Sequence, residues 1–339
     1  MFQGRRLFAS SAKWTNRELI YKEYGEPKNA LSLLLKERDD QAREKQVLVK
    51  WIASPINPAD INQIQGVYPV KPKLPAVGGN EGVGRVVSSL NPNFQEGDLV
   101  IPAQSGLGVW RDFGMHDGGD IFKIDPRFTM EQAACLQVNP STAYRMLKDF
   151  ASLGKNDLIV QNGATSAVGR YVIQMCKVWG IQSVNVVRNR DNIDDLKKEL
   201  KDLGATEVFT EEEFVKEGKG FTNAKLGLNC VGGKSSLMVS RSLGRDGTMV
   251  TYGGMSKQPI QVMTGPFIFK NIKLAGFWMS DAYKHNTFDR KEMYDEILEM
   301  YLANKLETVK FNKIDLANYE EAFEAASNGG SKQMFFNDN

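Results

Sequence analysis

The run DLIVQNGATSAVGRYVIQMCKVW, residues 157–179, decides the fold. Asp157 to Gln161 is a short apolar stretch of strand character, Asn162 to Gly169 is a turn of small residues, and the apolar segment to Trp179 has helical length. Where a backbone passes close to a pyrophosphate it needs small side chains, and the helix that follows turns its free N–H groups and positive dipole end towards the anion. Gly163, Ala164, Ala167 and Gly169 meet that need, although the middle glycine of the strict G-x-G-x-x-G pattern is replaced. A Gly-rich turn alone is often only a turn. Here a strand precedes it and a helix follows it, as a dinucleotide loop demands.

Working outward, apolar runs at 157–161, 183–188, 206–210, 226–230, 247–252 and 272–277 alternate with helical stretches, the pattern of a doubly wound, six-stranded parallel sheet in an α/β domain. A helix over 192–203 should end at Gly204, with Lys197, Lys198 and Lys201 towards its negative end. An NAD enzyme places Asp or Glu after its second strand to hold the ribose 2′-hydroxyl. This chain has Arg188-Asn189-Arg190 there, and two guanidinium groups suit the 2′-phosphate of NADPH. The competing reading is a solvated basic turn.

Upstream, from about residue 19 to 138, the chain reads as short strands and turns: Val47 to Ala53 alternates, Val83 to Leu90 is β-branched, and Asp98 to Pro102 follows Glu96-Gly97. Prolines 55, 58, 69, 72 and 75 exclude long helices. Downstream of residue 282, helices near 290–304 and 316–327 and a strand near 332–336 are expected to return to this mainly β unit. The expected division is therefore 1–18 as a leader, 19–138 with 282–339 as one domain, and 139–281 as the Rossmann domain.

Composition narrows the function. The chain has 339 residues and a formal charge of +2, but residues 1–17 carry Arg5, Arg6, Lys13 and Arg17 and no acid. Without those four, 39 basic residues face 41 acidic ones, so nucleic-acid binding is not implied. The same segment has the Arg- and Ser-rich make-up of a mitochondrial transit peptide, the alternative being a plain basic tail, and points to the matrix. No apolar run is long enough to span a bilayer. Cys135, Cys176 and Cys230 are odd in number and widely spaced, as for buried free thiols. His116 and His285 are the only histidines, there is no C-x-x-C, and Asn80 stands in Gly79-Asn80-Glu81-Gly82-Val83-Gly84 where zinc alcohol dehydrogenases have a metal-binding His. No metal site is expected.

Asn57-Pro-Ala-Asp-Ile-Asn62, Gly66-Val-Tyr-Pro69, Val138-Asn-Pro-Ser-Thr-Ala-Tyr144, Val186-Val-Arg-Asn-Arg190, Tyr252-Gly-Gly-Met255 and Gly276-Phe-Trp-Met279 together resemble the mitochondrial trans-2-enoyl-acyl-carrier-protein/CoA reductases, zinc-free members of the medium-chain dehydrogenase/reductase superfamily. The resemblance spans residues 19–339. It implies a GroES-like β domain beside the Rossmann domain, a homodimer joined through the latter, and NADPH-dependent reduction of an enoyl thioester carried on acyl-carrier protein or CoA. It implies Tyr68 as the catalytic residue. The implied cofactor residues are Asn139, Thr165, Ser166, Ala167, Val168, Arg188, Asn189, Arg190, Tyr252, Gly253, Gly254, Met255, Phe277, Trp278, Met279 and Lys332. Asn189 departs from the Asp of some relatives, and losing a carboxylate beside a phosphate favours NADPH. Two other functions share such a fold: an NADPH quinone or alkenal reductase, and a non-catalytic NADPH-binding protein. Neither needs Tyr68.

Overall fold

The computed structural model describes residues 14–38, 45–327 and 331–337. They fall into two units, Met1–Cys135 with Lys310–Asn339, and Leu136–Val309.

In the first unit the alternating segment forms the strand Gln46–Pro55, which puts Val47, Val49 and Trp51 into the core. It pairs antiparallel with Val83–Ser89, Phe113–Asp117 and Lys332–Phe336, and the last of these lies parallel to Phe311–Ile314. The expected return of the C-terminal strand is observed. It is fixed by packing, because the buried Trp110 ring meets Phe323 and Phe335 edge-on at 5.4 and 5.5 Å.

The expected leader boundary is corrected. Residues 1–13 lie outside the described residues, but Trp14–Tyr21 is the middle strand of a three-stranded sheet, between Leu31–Arg38 and Ala76–Val77. Arg17, grouped with the leader for its charge, bonds Asp112 at 2.8 Å and Asp315 at 2.7 Å. Glu18 is buried and paired with Lys36. Charge-assisted bonds of this kind hold a cation in a fold as readily as a leader displays one.

The second unit has six parallel strands in the order Glu207–Thr210, Gln182–Val187, Leu158–Asn162, Ala224–Asn229, Leu243–Thr251 and Lys273–Gly276. Numbered along the chain this is 3-2-1-4-5-6, the dinucleotide-binding order. The helices Ala167–Trp179 and Ile193–Leu203 end at Gly180 and Gly204, both left-handed. A second boundary also moves, since the unit runs on to Val309 and not to residue 281. Helix Arg290–Leu302, capped by Asp289 to Glu292 N, buries Met293, Tyr294, Ile297, Leu298 and Tyr301 on this unit. The Tyr301 hydroxyl donates to Tyr171 at 2.9 Å, and that of Tyr283 to the Gln137 carbonyl at 2.8 Å. Those buried bonds, silent in a hydropathy pattern, set the boundary.

All three cysteines are buried free thiols, and among the described residues no helix is long and apolar enough to cross a membrane. The buried His116 accepts a bond from Trp51 Nε1 at 3.2 Å. Burial, with Arg111 nearby, pushes its pKa down to about 3. A base that titrates lower in the fold than in the unfolded chain stabilises fully above pH 6.5, and that contribution fades as the pH falls towards 3. Thermal melts should therefore show wild type losing about 1–2 kcal/mol between pH 6.5 and 5 relative to His116→Gln, which keeps an acceptor but does not titrate. Parallel pH dependences in the two proteins would contradict a neutral buried imidazole.

Candidate active site

Strands one and four diverge at their carboxyl ends, where open α/β sheets bind ligands. The buried amides of Asn162 and Asn229 meet there at 2.7 Å. The Asn162 Oδ1 atom accepts from Cys230 N at 2.8 Å, and Asn229 Oδ1 accepts from Gly232 N at 3.0 Å. The two loops are thus tied to one pair of side chains.

Gly163 follows strand one with φ of 60°, and a Cβ there would lie 2.3 Å from Cys230 Sγ. At Gly169 a Cβ would come within 2.7–2.8 Å of the Ala164 backbone, so this glycine lets the helix start against its own loop. Ser166 caps that helix, its hydroxyl accepting from Gly169 N at 3.1 Å. Thr165, Ser166, Ala167 and Val168 are half-buried in the turn. Arg188, Asn189 and Arg190 are exposed directly after strand Gln182–Val187, and among the described residues no ion pair engages either guanidinium. Such free donors, at the carboxyl end of strand two, fit a phosphate on the ribose.

Tyr252 follows strand five and donates its N–H to the Asn229 carbonyl at 3.0 Å, and Met255 N bonds the Cys230 carbonyl at 2.9 Å. This folds Tyr252, Gly253, Gly254 and Met255 back over strand four. Burial beside Cys230 holds the Tyr252 phenol well above its ordinary range. Beyond strand six, Phe277 N bonds the Thr251 carbonyl at 3.0 Å and its ring meets Phe150 at 5.5 Å. Trp278 is partly exposed, while Met279 is buried. Asn139 opens the helix Asn139–Asp149, and its buried side-chain Nδ2 has no hydrogen-bond partner among the described residues. A buried amide donor left open is costly unless a ligand completes it. With the glycine cradle, that open donor makes the unit a fitting host for NADPH.

The first unit carries the two remaining expected residues. Tyr68 is half-buried in the segment after helix Pro58–Ile64, and its N–H bonds the Asn62 carbonyl at 3.2 Å. The Lys332 ammonium group donates to Asn57 Oδ1 and to the Ile56 carbonyl. Desolvation pulls its pKa down, and Glu81, Cys135 and Asp60 work against that. Lys332 thus joins a cluster of residues that sequence reasoning did not assign to the site: Asn57, Asp60, Gln63, Asn80 and Glu81, all buried. The capping-box spacing of Asn57 and Asp60 was the one available signal.

Known proteins are similar to this chain. Residues 43–117 match the alcohol dehydrogenase GroES-like domain, and residues 167–299 match the zinc-binding dehydrogenase domain. The chain is 52% identical to the mitochondrial enoyl-acyl-carrier-protein reductase of Caenorhabditis elegans, over 95% of each chain. It is 43% identical to the human enzyme of that name, over 91% of this chain and 85% of the relative. The solved Etr1p/NADP/crotonyl-CoA complex superposes with a TM-score of 0.86 at 36% identity, covering 96% of this chain and all of that one. On this likeness, and on the Rossmann and GroES-like units described above, the chain belongs to the family of mitochondrial enoyl-acyl-carrier-protein reductases, within the medium-chain dehydrogenase/reductase superfamily.

Proposed function

We propose that Tyr68 is the proton and hydrogen-bond donor in an NADPH-dependent reduction of trans-2-enoyl thioesters. As a member of its family the chain is an oxidoreductase that saturates the double bond next to a thioester carbonyl, in mitochondrial fatty-acid synthesis. Its 52% identity to a named reductase, over 95% of both chains, supports this reading. The substrate is carried on acyl-carrier protein or CoA. NADPH, when bound, would supply a hydride to C3 of the substrate, and the electron pair displaced from the double bond would move to the thioester oxygen. A proton then goes to C2, which completes the saturated acyl thioester.

The chain's own residues do the rest. The Tyr68 phenol donates to the developing enolate oxygen or passes its proton to C2 directly or through water. Arg188 and Arg190, with Asn189 between them, grip the 2′-phosphate. The turn Thr165–Val168, at the N-terminus of helix Ala167–Trp179, would face the pyrophosphate. Asn139 offers its open amide to the nicotinamide half, flanked by Tyr252 to Met255 and Phe277 to Met279. Lys332 is the cofactor residue that the family resemblance implies in the first unit, and its ammonium group has three N–H bonds against two acceptors among the described residues. The enzyme works in mitochondria, as its relatives do by name.

The same reading includes a homodimer. Strand Lys273–Gly276 ends the six-stranded sheet, and an unpaired edge is a template for a second strand. Close to it in sequence, Phe267, Ile268 and Phe269 are 48%, 61% and 78% exposed, an apolar surface suited to a second copy. Replacing Leu274 by Lys should shift the particle from dimer to monomer in light scattering; a wild-type protein that is monomeric at micromolar concentration removes the proposal.

Arg188→Ala combined with Arg190→Ala should raise the KM for NADPH at least about tenfold and leave NADH use little changed, since charge-assisted bonds to one phosphate are lost. Equal losses with both cofactors would assign the turn to folding. In Tyr68→Phe the ring's packing stays and the donor goes, so kcat with a short 2-enoyl-CoA should fall by about 10²–10³ while NADPH affinity holds. A variant with full turnover would make Tyr68 a structural residue of its loop and not the donor.

A further inference from the structure

Helix Pro58–Ile64 and the segment after it are joined by a chain of buried polar groups that the reaction above does not use. Asp60 starts it. One carboxylate oxygen accepts from Asn57 N at 2.7 Å, and the other accepts from both Asn80 N at 2.9 Å and Asn80 Nδ2 at 2.8 Å. Asn80 and Gln63 then face each other as paired amides, each Nδ2 or Nε2 donating to the other's oxygen at 3.3 Å. Gln63 Nε2 also donates to the Val70 carbonyl at 3.2 Å. Asp60, Gln63 and Asn80 are at most 3% exposed.

The order of donors is not free. A carboxylate only accepts, so Asp60 turns the Asn80 amide with its NH2 inward and its oxygen towards Gln63. That oxygen in turn fixes Gln63 with its NH2 group towards Asn80 and the Val70 carbonyl. On the other side of Tyr68 the helix holds the same segment by its backbone, as Gly66 N bonds the Gln63 carbonyl at 3.0 Å, and Val67 N and Tyr68 N share the Asn62 carbonyl at 3.0 and 3.2 Å. Tyr68 therefore sits on a short span tied at both ends to one helix.

We infer that Gln63 and Asn80 are positioning residues for Tyr68, setting the direction of its phenol through the Val70 anchor. The inference rests on the catalytic reading of that tyrosine. Asp60 is the origin of the relay, and Gln63 is its last member. Apolar packing would hold the segment in place but would not fix its rotation, whereas a directed hydrogen bond fixes both. A displacement of about 1 Å at a reacting group costs up to about 10² in rate, so a slack anchor shows in kcat.

The test is a double-mutant cycle of Gln63→Met and Tyr68→Phe, with kcat for a short 2-enoyl-CoA, NADPH Kd by fluorescence titration, and Tm measured on each protein. Gln63→Met keeps the volume and removes the donor. It should lower kcat at least about fivefold with NADPH Kd unchanged, and cost less than about twofold once Phe stands at position 68. A Gln63→Met enzyme with full kcat beside a slow Tyr68→Phe overturns the inference and leaves the tyrosine's role intact. Full activity in Tyr68→Phe overturns that role and the inference with it. A Gln63 loss that persists undiminished in the Phe background makes Gln63 a general prop and also overturns it. Should Gln63→Met not fold, the isostere Gln63→Glu is read across pH. Its carboxylate, in a cluster with Asp60, Glu81 and Lys332, cannot donate until protonated, so kcat should be low at neutral pH and recover on acidification. A Gln63→Glu enzyme that matches wild type throughout overturns the proposal.

Discussion

The bond between the Asn162 and Asn229 side chains is the point from which the cofactor end of the second unit hangs. Two parallel strands that diverge leave their last residues without ladder partners, and buried backbone groups there must be satisfied otherwise. Asn162 takes the Cys230 N–H and Asn229 takes those of Val231 and Gly232, while Asn229 Nδ2 reaches Thr251 Oγ1 at 3.1 Å. One amide pair thereby sets the loops after strands one, four and five. Replacing Asn229 by an apolar residue would strand the Asn162 amide and the Val231 and Gly232 N–H groups at once, and replacing Asn162 would strand that of Cys230, each costing about 1–3 kcal/mol.

The first unit solves a different problem with the same chemistry. Asp60 and Glu81 are buried carboxylates that both interact electrostatically with the Lys332 ammonium group. Desolvation lifts Asp60 to about 6, and the bonds from Asn57 and Asn80 oppose it. Asn80 occupies the place that holds a metal-binding His in zinc alcohol dehydrogenases. Here an amide that both donates and accepts fills it, so the position transmits orientation between side chains.

Much of this was legible in the sequence where the signal was local. The strands at 158–162, 182–187 and 207–210 lie within one residue of expectation, because apolar runs between turn residues are local features. The basic turn at Arg188 to Arg190 and the loop from Thr165 to Val168 were readable for the same reason. Contacts between distant residues were not. Residues 282–309 joined the second unit through tyrosine hydroxyls bonded across more than 100 positions, and Gln63 meets Val70 and Asn80 only after folding. Arg17 was misassigned because charge alone does not distinguish a solvated cation from a paired one.

That pairing limits how the chain is trimmed. A protease that removed everything before residue 19 would take most of Trp14–Tyr21, and with it the partner of two neighbouring strands and the cation shared by Asp112 and Asp315. Two edges would be exposed and two carboxylates left facing each other. A chain cut before Trp14 keeps the whole strand and with it the Arg17 clasp, whereas one cut before residue 19 loses both.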